Sequence, residues 1–145
     1  MNLIIPIEKF DKKNIVYSDD MENKFLFNSK FVKVIYSTPI FTLQSLIVSF
    51  QLKDYYLEDF FDKQKCFFNK SKNKEIIEKM INIEYEILNY YNEFHNLKLN
   101  LKKLLDNSYF KLSNNNKKSK MFLLRISGIW FQNNECGLIF KFFIV

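Results

Sequence analysis

The chain has two glycines, two prolines, two cysteines and one histidine in 145 residues, and no alanine at all. Gly128 and Gly137 stand too far apart for either G-x-x-x-x-G-K-[ST] or G-x-G-x-x-G, so the chain has no glycine-rich loop to cradle a nucleotide phosphate. Cys66 and Cys136 match no zinc spacing and are too few for a disulfide framework. They are expected as free, reduced thiols in an intracellular protein. His95 has no second histidine and no carboxylate at ligand spacing, so no metal or catalytic role is expected for it. No run of about 18 apolar residues exists to span a membrane, and residues 1–10, interrupted by Pro6 and Glu8, do not read as a secretory peptide. The acidic residues fall mainly in expected loops or on the polar face of one helix, so the chain reads as a non-enzyme with no cofactor.

Arginine is scarce too: Arg125 stands alone against 21 lysines, while Asn, Ile, Phe and Tyr are abundant. All of the abundant residues have AT-rich codons, so lysine richness by itself reflects a biased genome. The distribution of charge is more telling. Residues 1–62 carry a net −2, residues 63–96 a net +1, and residues 97–145 a net +7. Codon bias raises lysine everywhere but does not remove acids from one third, so the last third reads as a surface facing a polyanion.

Along the chain, strand-type alternation dominates. Residues 3–7 read as a short edge strand limited by Pro6, and residues 11–22 as a loop within an irregular lead-in that covers 1–23. Strands are expected over 25–28 and 31–36, a break at Thr38-Pro39, then strands over 41–43 and 46–52. Residues 54–69 alternate aromatic with charged side chains and read as a short helix from Asp54 followed by a strand or loop, some of the rings being candidates for stacking on bases. Ile76, Met80, Ile83, Ile87, Tyr90 and Phe94 recur at helical spacing, which predicts one long amphipathic helix from 74 to about 95, with Ser71 to Asn73 as its cap. Residues 97–105 fit a strand or a helix equally, and 108–112 a short strand. Residues 114–120 have no apolar member and form a solvated loop. Residues 121–142 read as a β-hairpin around a loop of Asn133 to Glu135. That loop sets Trp130 opposite Leu138, Gly128 opposite Phe140 and Ile126 opposite Phe142, with Trp130 in the core near Gly128 and Phe140. The other face of the hairpin carries Arg125, Ser127 and Lys141 with Ile129 and Ile139. The fold expected is a single mainly β domain over 1–145 with one long helix, an OB-like antiparallel barrel or a strongly curved sheet.

The closing motif, an apolar run followed by Ser127-Gly128-Ile129-Trp130, a short turn and Gly137-Leu138-Ile139-Phe140-Lys141-Phe142, resembles the C-terminal signature of a family of OB-fold single-stranded-DNA-binding proteins from nucleocytoplasmic large DNA viruses, related to replication proteins of some phages. The resemblance is specific over about 20 residues and extends elsewhere as a similarity of layout. It implies single-stranded DNA as partner, a role in viral DNA replication, recombination or repair, and a location in the host cell, at the viral factory or nucleus, or in the virion. Replication or virion proteins and further copies of the chain are the other partners it leaves open. Phage-type relatives carry an acidic C-terminal tail, and this chain has no acid after Glu135.

The candidate nucleic-acid contacts are Lys117, Lys118 and Lys120 in the solvated loop, Arg125 and Lys141 on the hairpin, Lys33, and the aromatics Phe31 and Tyr55. The competing reading is a structural or interaction protein of a large DNA virus that uses aromatic surfaces free of lysine.

Overall fold

Period-two alternation builds a sheet that carries one helical layer on its inner face. The computed structural model describes residues 3–19, 21–22, 30–114 and 121–145, with only the backbone of Met21 and Glu22. In chain order the strands are β1 (Ile5–Pro6), β2 (Ile15–Tyr17), β3 (Met21–Glu22), β4 (Lys30–Ser37), β5 (Thr42–Leu43), β6 (Leu46–Phe50), β7 (Tyr55–Phe60), β8 (Lys63–Phe68), β9 (Asn96–Lys98), β10 (Tyr109–Leu112), β11 (Phe122–Gln132) and β12 (Glu135–Ile144). Helix α1 (Lys74–Leu88) precedes β9, and α2 (Asn100–Asp106) follows it. The strand expected over 25–28 lies outside the described residues.

The sheet runs β1-β6-β11-β12-β10-β8-β7, and its two ends do not pair. It is mixed: β1 lies parallel to β6, and β10 and β9 both lie parallel to β12, whereas the hairpins and the β11 pairings are antiparallel. The protein is therefore mainly β with one long helix and one short one, and the described strands form an open sheet. The inner face is apolar. Phe50, Phe110, Phe122 and Phe142 meet at its centre, Phe110 stacking on Phe142 at 4.1 Å between ring centroids. Ile77, Met80, Ile83, Ile87 and Leu88 of α1, and Leu101 and Leu105 of α2, are buried in the same core.

Several expectations change. Residues 11–22 are not a loop throughout, because β2 and β3 within them pair antiparallel with β4. Residues 54–60 are not helical: β7 and β8 form a hairpin in which Tyr55 and Leu57 face Phe68 and Cys66. Helix α1 stops at Leu88 and tightens into a 3-10 turn over Asn89–Tyr91. The tighter turn rotates Tyr90 and Phe94 off the packing stripe, and they are 71% and 77% exposed. The ambiguous piece after His95 divides into β9 and α2. Asn73 does stand at the start of α1, but its side chain bonds the backbone of Lys53 and Asn69 instead of capping the helix.

The terminal hairpin forms, in a different register. Its turn is the two residues Asn133 and Asn134, with φ of 51° and 65°, the left-handed pair that a type I′ turn requires. Gln132 then pairs with Glu135, Trp130 with Gly137 and Ile129 with Leu138, while a bulge between Ile126 and Gly128 sets Ile126 opposite Phe140 and Leu124 opposite Phe142. The bulge inverts the alternation. Ile129 and Phe131 join the core, and Trp130 goes to the outer face, half-buried. The expected core position of Trp130 near Phe140 is thus corrected.

The helices are tied by a buried carboxylate. Glu84 on α1 has no accessible surface, and its two oxygens accept the backbone N–H groups of Leu101 and Lys102 at 2.7 and 3.0 Å. These are first-turn donors of α2, which have no partner within that helix. Burial raises the Glu84 pKa against the lowering effect of the two backbone hydrogen bonds and Lys102. The folded state therefore binds this proton more tightly than the unfolded chain, and the stability so gained is lost as pH rises through the folded-state value. Glu84→Gln keeps the shape but replaces one acceptor by a donor. It should lower the unfolding free energy by about 1–3 kcal/mol, and remove that component of the pH dependence, both measured by urea denaturation over a pH series.

Candidate nucleic-acid interface

Strand β11 is the spine of the candidate site. Along one edge it pairs with β12 for its whole length; along the other, residues 122–126 pair with β6 and residues 128–131 with β4. The bulge sits where one partner gives way to the other. This brings residues from β4, β11 and β12 onto one outer surface, opposite the helices.

Two aromatic rings lie on that surface, each over a glycine. Phe31 pairs across from Trp130, which pairs across from Gly137. A methyl group at Gly137 would stand 2.8 Å from the Trp130 indole, and one at Gly128 would stand 2.3 Å from the Phe31 ring and 2.5 Å from the Val32 carbonyl oxygen. Both glycines are thus required for close approach, and each lets a ring lie against the sheet where a side chain would otherwise prop it up. Rings held in this way present a flat apolar surface of the kind that nucleobases stack on.

Cations flank the rings. Arg125 and Lys141 stand directly opposite each other across the β11–β12 pair, both exposed. Like charges directly opposite in a sheet are destabilising, and neither forms an ion pair among the described residues, where the charged partners are Lys13–Asp11, Lys70–Asp106, Lys72–Asp54, Lys79–Glu75 and Lys98–Glu135. Lys33 pairs across from Gly128 on the same face and donates to the Gln44 side-chain oxygen. The hydroxyl of Ser127 reaches the Ile139 carbonyl oxygen at 3.4 Å.

Of the residues singled out in the sequence, Phe31, Lys33, Arg125 and Lys141 come together here. Tyr55 does not: it faces the core, edge-on to Phe122 at 5.1 Å, because it occupies an inward position of the β7–β8 hairpin. Lys117, Lys118 and Lys120 lie outside the described residues. The described residues on either side of them lie at the end of the hairpin, where Asn114 bonds both backbone groups of Ile144, and Met121 bonds Val145. Sequence reasoning missed Trp130 as a surface ring; the Asn-Asn pair, read as a two-residue turn, was the signal that would have placed it opposite Gly137.

Away from this surface, both cysteines are free and buried, and burial pushes the Cys66 thiol up to about 12 and that of Cys136 up to about 11. His95 packs against the rings of Tyr91 and Phe131. Among the described residues no cluster of three His, Cys, Asp or Glu forms a metal site, and no helix is long and apolar enough to cross a membrane.

The glycine seats give a direct test. Gly137→Ala should displace the indole and lower stability by about 1–3 kcal/mol, the range for overpacking. Because Trp130 is the single tryptophan, the displacement should shift its fluorescence emission, while Gly128→Ala, which meets backbone as well as a ring, should cost more in denaturation.

In comparisons with known proteins, no family model matches the chain, and no curated protein and no solved structure shows a significant match to it.

Proposed function

We propose that the protein binds single-stranded DNA with little sequence preference through the outer face of β4, β11 and β12, in viral DNA replication, recombination or repair. The observation that carries this reading is the opposed pair Arg125 and Lys141, unneutralised by any described acid, beside two rings laid flat on glycines. A chain of phosphates neutralises the first feature, and unpaired bases use the second. An OB-like reading of the fold is supported by the way β11 bends at its bulge to serve β6 and β4 in turn, and by β4 leaving the main sheet to pair with β2 and β5. Such folds are partly open barrels that present a curved strand surface to oligonucleotides.

A second reading, a protein-interaction role, is favoured by Tyr90 and Phe94. Both are exposed beyond the end of α1, as is Tyr85 on α1, in a segment, residues 80–97, that has no lysine or arginine.

Fluorescence anisotropy with labelled 30-nucleotide single strands and duplexes across a salt series separates the two. The first reading expects preference for the single strand, quenching of Trp130 emission on binding, and affinity falling steeply with salt. Arg125→Gln with Lys141→Gln should reduce the log-log salt slope by about 0.7 for each phosphate that is no longer neutralised, with the melting temperature unchanged or slightly higher because a like-charge pair is removed. Absence of binding at low salt would leave the interaction reading in its place.

A further inference from the structure

The outer face does not end at β12. Lys111 on β10 stands directly opposite Lys65 on β8, a second like-charge pair. Leu112 is in register with Phe142 on the neighbouring parallel strand, so the residues before them, Lys111 and Lys141, occupy adjacent positions on one face. Lys141 in turn stands opposite Arg125. One cation per strand therefore crosses β8, β10, β12 and β11 in a line perpendicular to the strands, about 14 Å long for three steps of about 4.8 Å. None of the four forms an ion pair among the described residues. The line ends at β7, where Glu58 stands opposite Lys65.

Aromatic rings run beside this line. Two residues along each strand from Lys65 and Lys111 are Phe67 and Tyr109, also opposite each other, and Tyr56 on β7 completes the row. Tyr56 stacks on Phe67 at 5.0 Å and 11°, and Phe67 lies 5.6 Å from Tyr109 at 30°. Phe60 gathers the lysines, with the Lys65 ammonium 4.8 Å and the Lys111 ammonium 5.8 Å from its ring centroid. The row continues across the sheet through Ile139 to the Phe31 ring over Gly128.

From this geometry we infer that a single strand of nucleic acid crosses the sheet at right angles to the β-strands, its phosphates over Arg125, Lys141, Lys111 and Lys65 and its bases over Phe31 and Trp130 at one end and Tyr109, Phe67 and Tyr56 at the other. The inference rests on the function proposed above and adds a second binding region, on β7, β8 and β10, together with the direction of the path. A collinear row of cations with a parallel row of rings matches a polymer of evenly spaced charges and flat side groups. A polyanion without bases uses only half of it.

The experiment compares wild type with Lys65→Gln/Lys111→Gln and with Arg125→Gln/Lys141→Gln, all changes at surface positions. Binding is measured to oligothymidylates of about 4 and about 12 nucleotides, bracketing the lower range of site sizes of about 4–16 nucleotides for one such domain, with heparin as the base-free competitor. The wild type should gain affinity with length. The Lys65/Lys111 variant should lose that gain and about 1.4 of salt slope, two phosphates at about 0.7 each, and heparin should compete less well per charge than the 12-mer. A 12-mer carrying 5-bromouracil at one end should photo-cross-link to the peptide containing Trp130 or Phe31, and one labelled at the other end to that containing Tyr109 or Phe67. If the Lys65/Lys111 variant binds the 12-mer as wild type does, and every cross-link falls on β4 or the terminal hairpin, the crossing path is overturned while the hairpin site stands. If only the Lys65/Lys111 variant weakens, the hairpin reading fails and the path across both regions fails with it. Lack of wild-type binding to either length at low salt overturns both.

Discussion

A strand of eleven residues that must serve two partners on one edge cannot remain regular along its whole length, and β11 meets this constraint with a single extra residue. Up to Ile126 it pairs with β6; from Gly128 it pairs with β4. The bulge between them changes which alternate side chains face inward, so the core receives Leu124 and Ile126 from one half and Ile129 and Phe131 from the other. The outward position of Trp130 and of the Phe31 seat at Gly128 follows from the same step. Without it Trp130 would point into the core, and Gly128 would be an ordinary weak point in a strand instead of the seat of a ring.

The elements with strong local periodicity were legible in the sequence. Helix α1 and the terminal hairpin are long, and their patterns have few competitors. The β7–β8 hairpin was hidden because its outer face carries Tyr56, Phe60 and Phe67 while its inner face carries Tyr55, Leu57 and Phe68. With rings on both faces, alternation in hydrophobicity disappears, and a helix fits the residues from Asp54 onwards equally well. The bulge had one mark in the sequence, Gly128, since glycine inside a strand signals a bulge or a close approach, but Ile126, Ile129 and Trp130 are all large and apolar, so the apolar pattern does not show that the alternation slips there. The parallel pairings of β1, β9 and β10 involve pieces of two to four residues whose partners are remote in sequence.

The candidate site shows the same division. Arg125 and Lys141 were readable because a hairpin makes them neighbours by local geometry alone, and Phe31 and Lys33 because their strand alternates cleanly. Lys65, Lys111 and Tyr109 fall into line with them only through pairings between β8, β10 and β12, which no local pattern encodes. Three of the four aligned cations belong to the basic last third. Lining up like charges opposes the pairing of the strands that bear them. The burial of Phe50, Phe110, Phe122 and Phe142 directly beneath supplies the cohesion that tolerates this arrangement.

The bond between Glu84 and the first amides of α2 also bears on how the helical layer comes apart. A helix of seven residues is far below the length that is stable alone in water, so α2 persists only while it is docked. Its docking includes two hydrogen bonds that end on a carboxylate belonging to α1. The two helices therefore form one cooperative opening unit, and the amide protons of Leu101 and Lys102 are protected from solvent exchange for as long as α1 stays on the sheet.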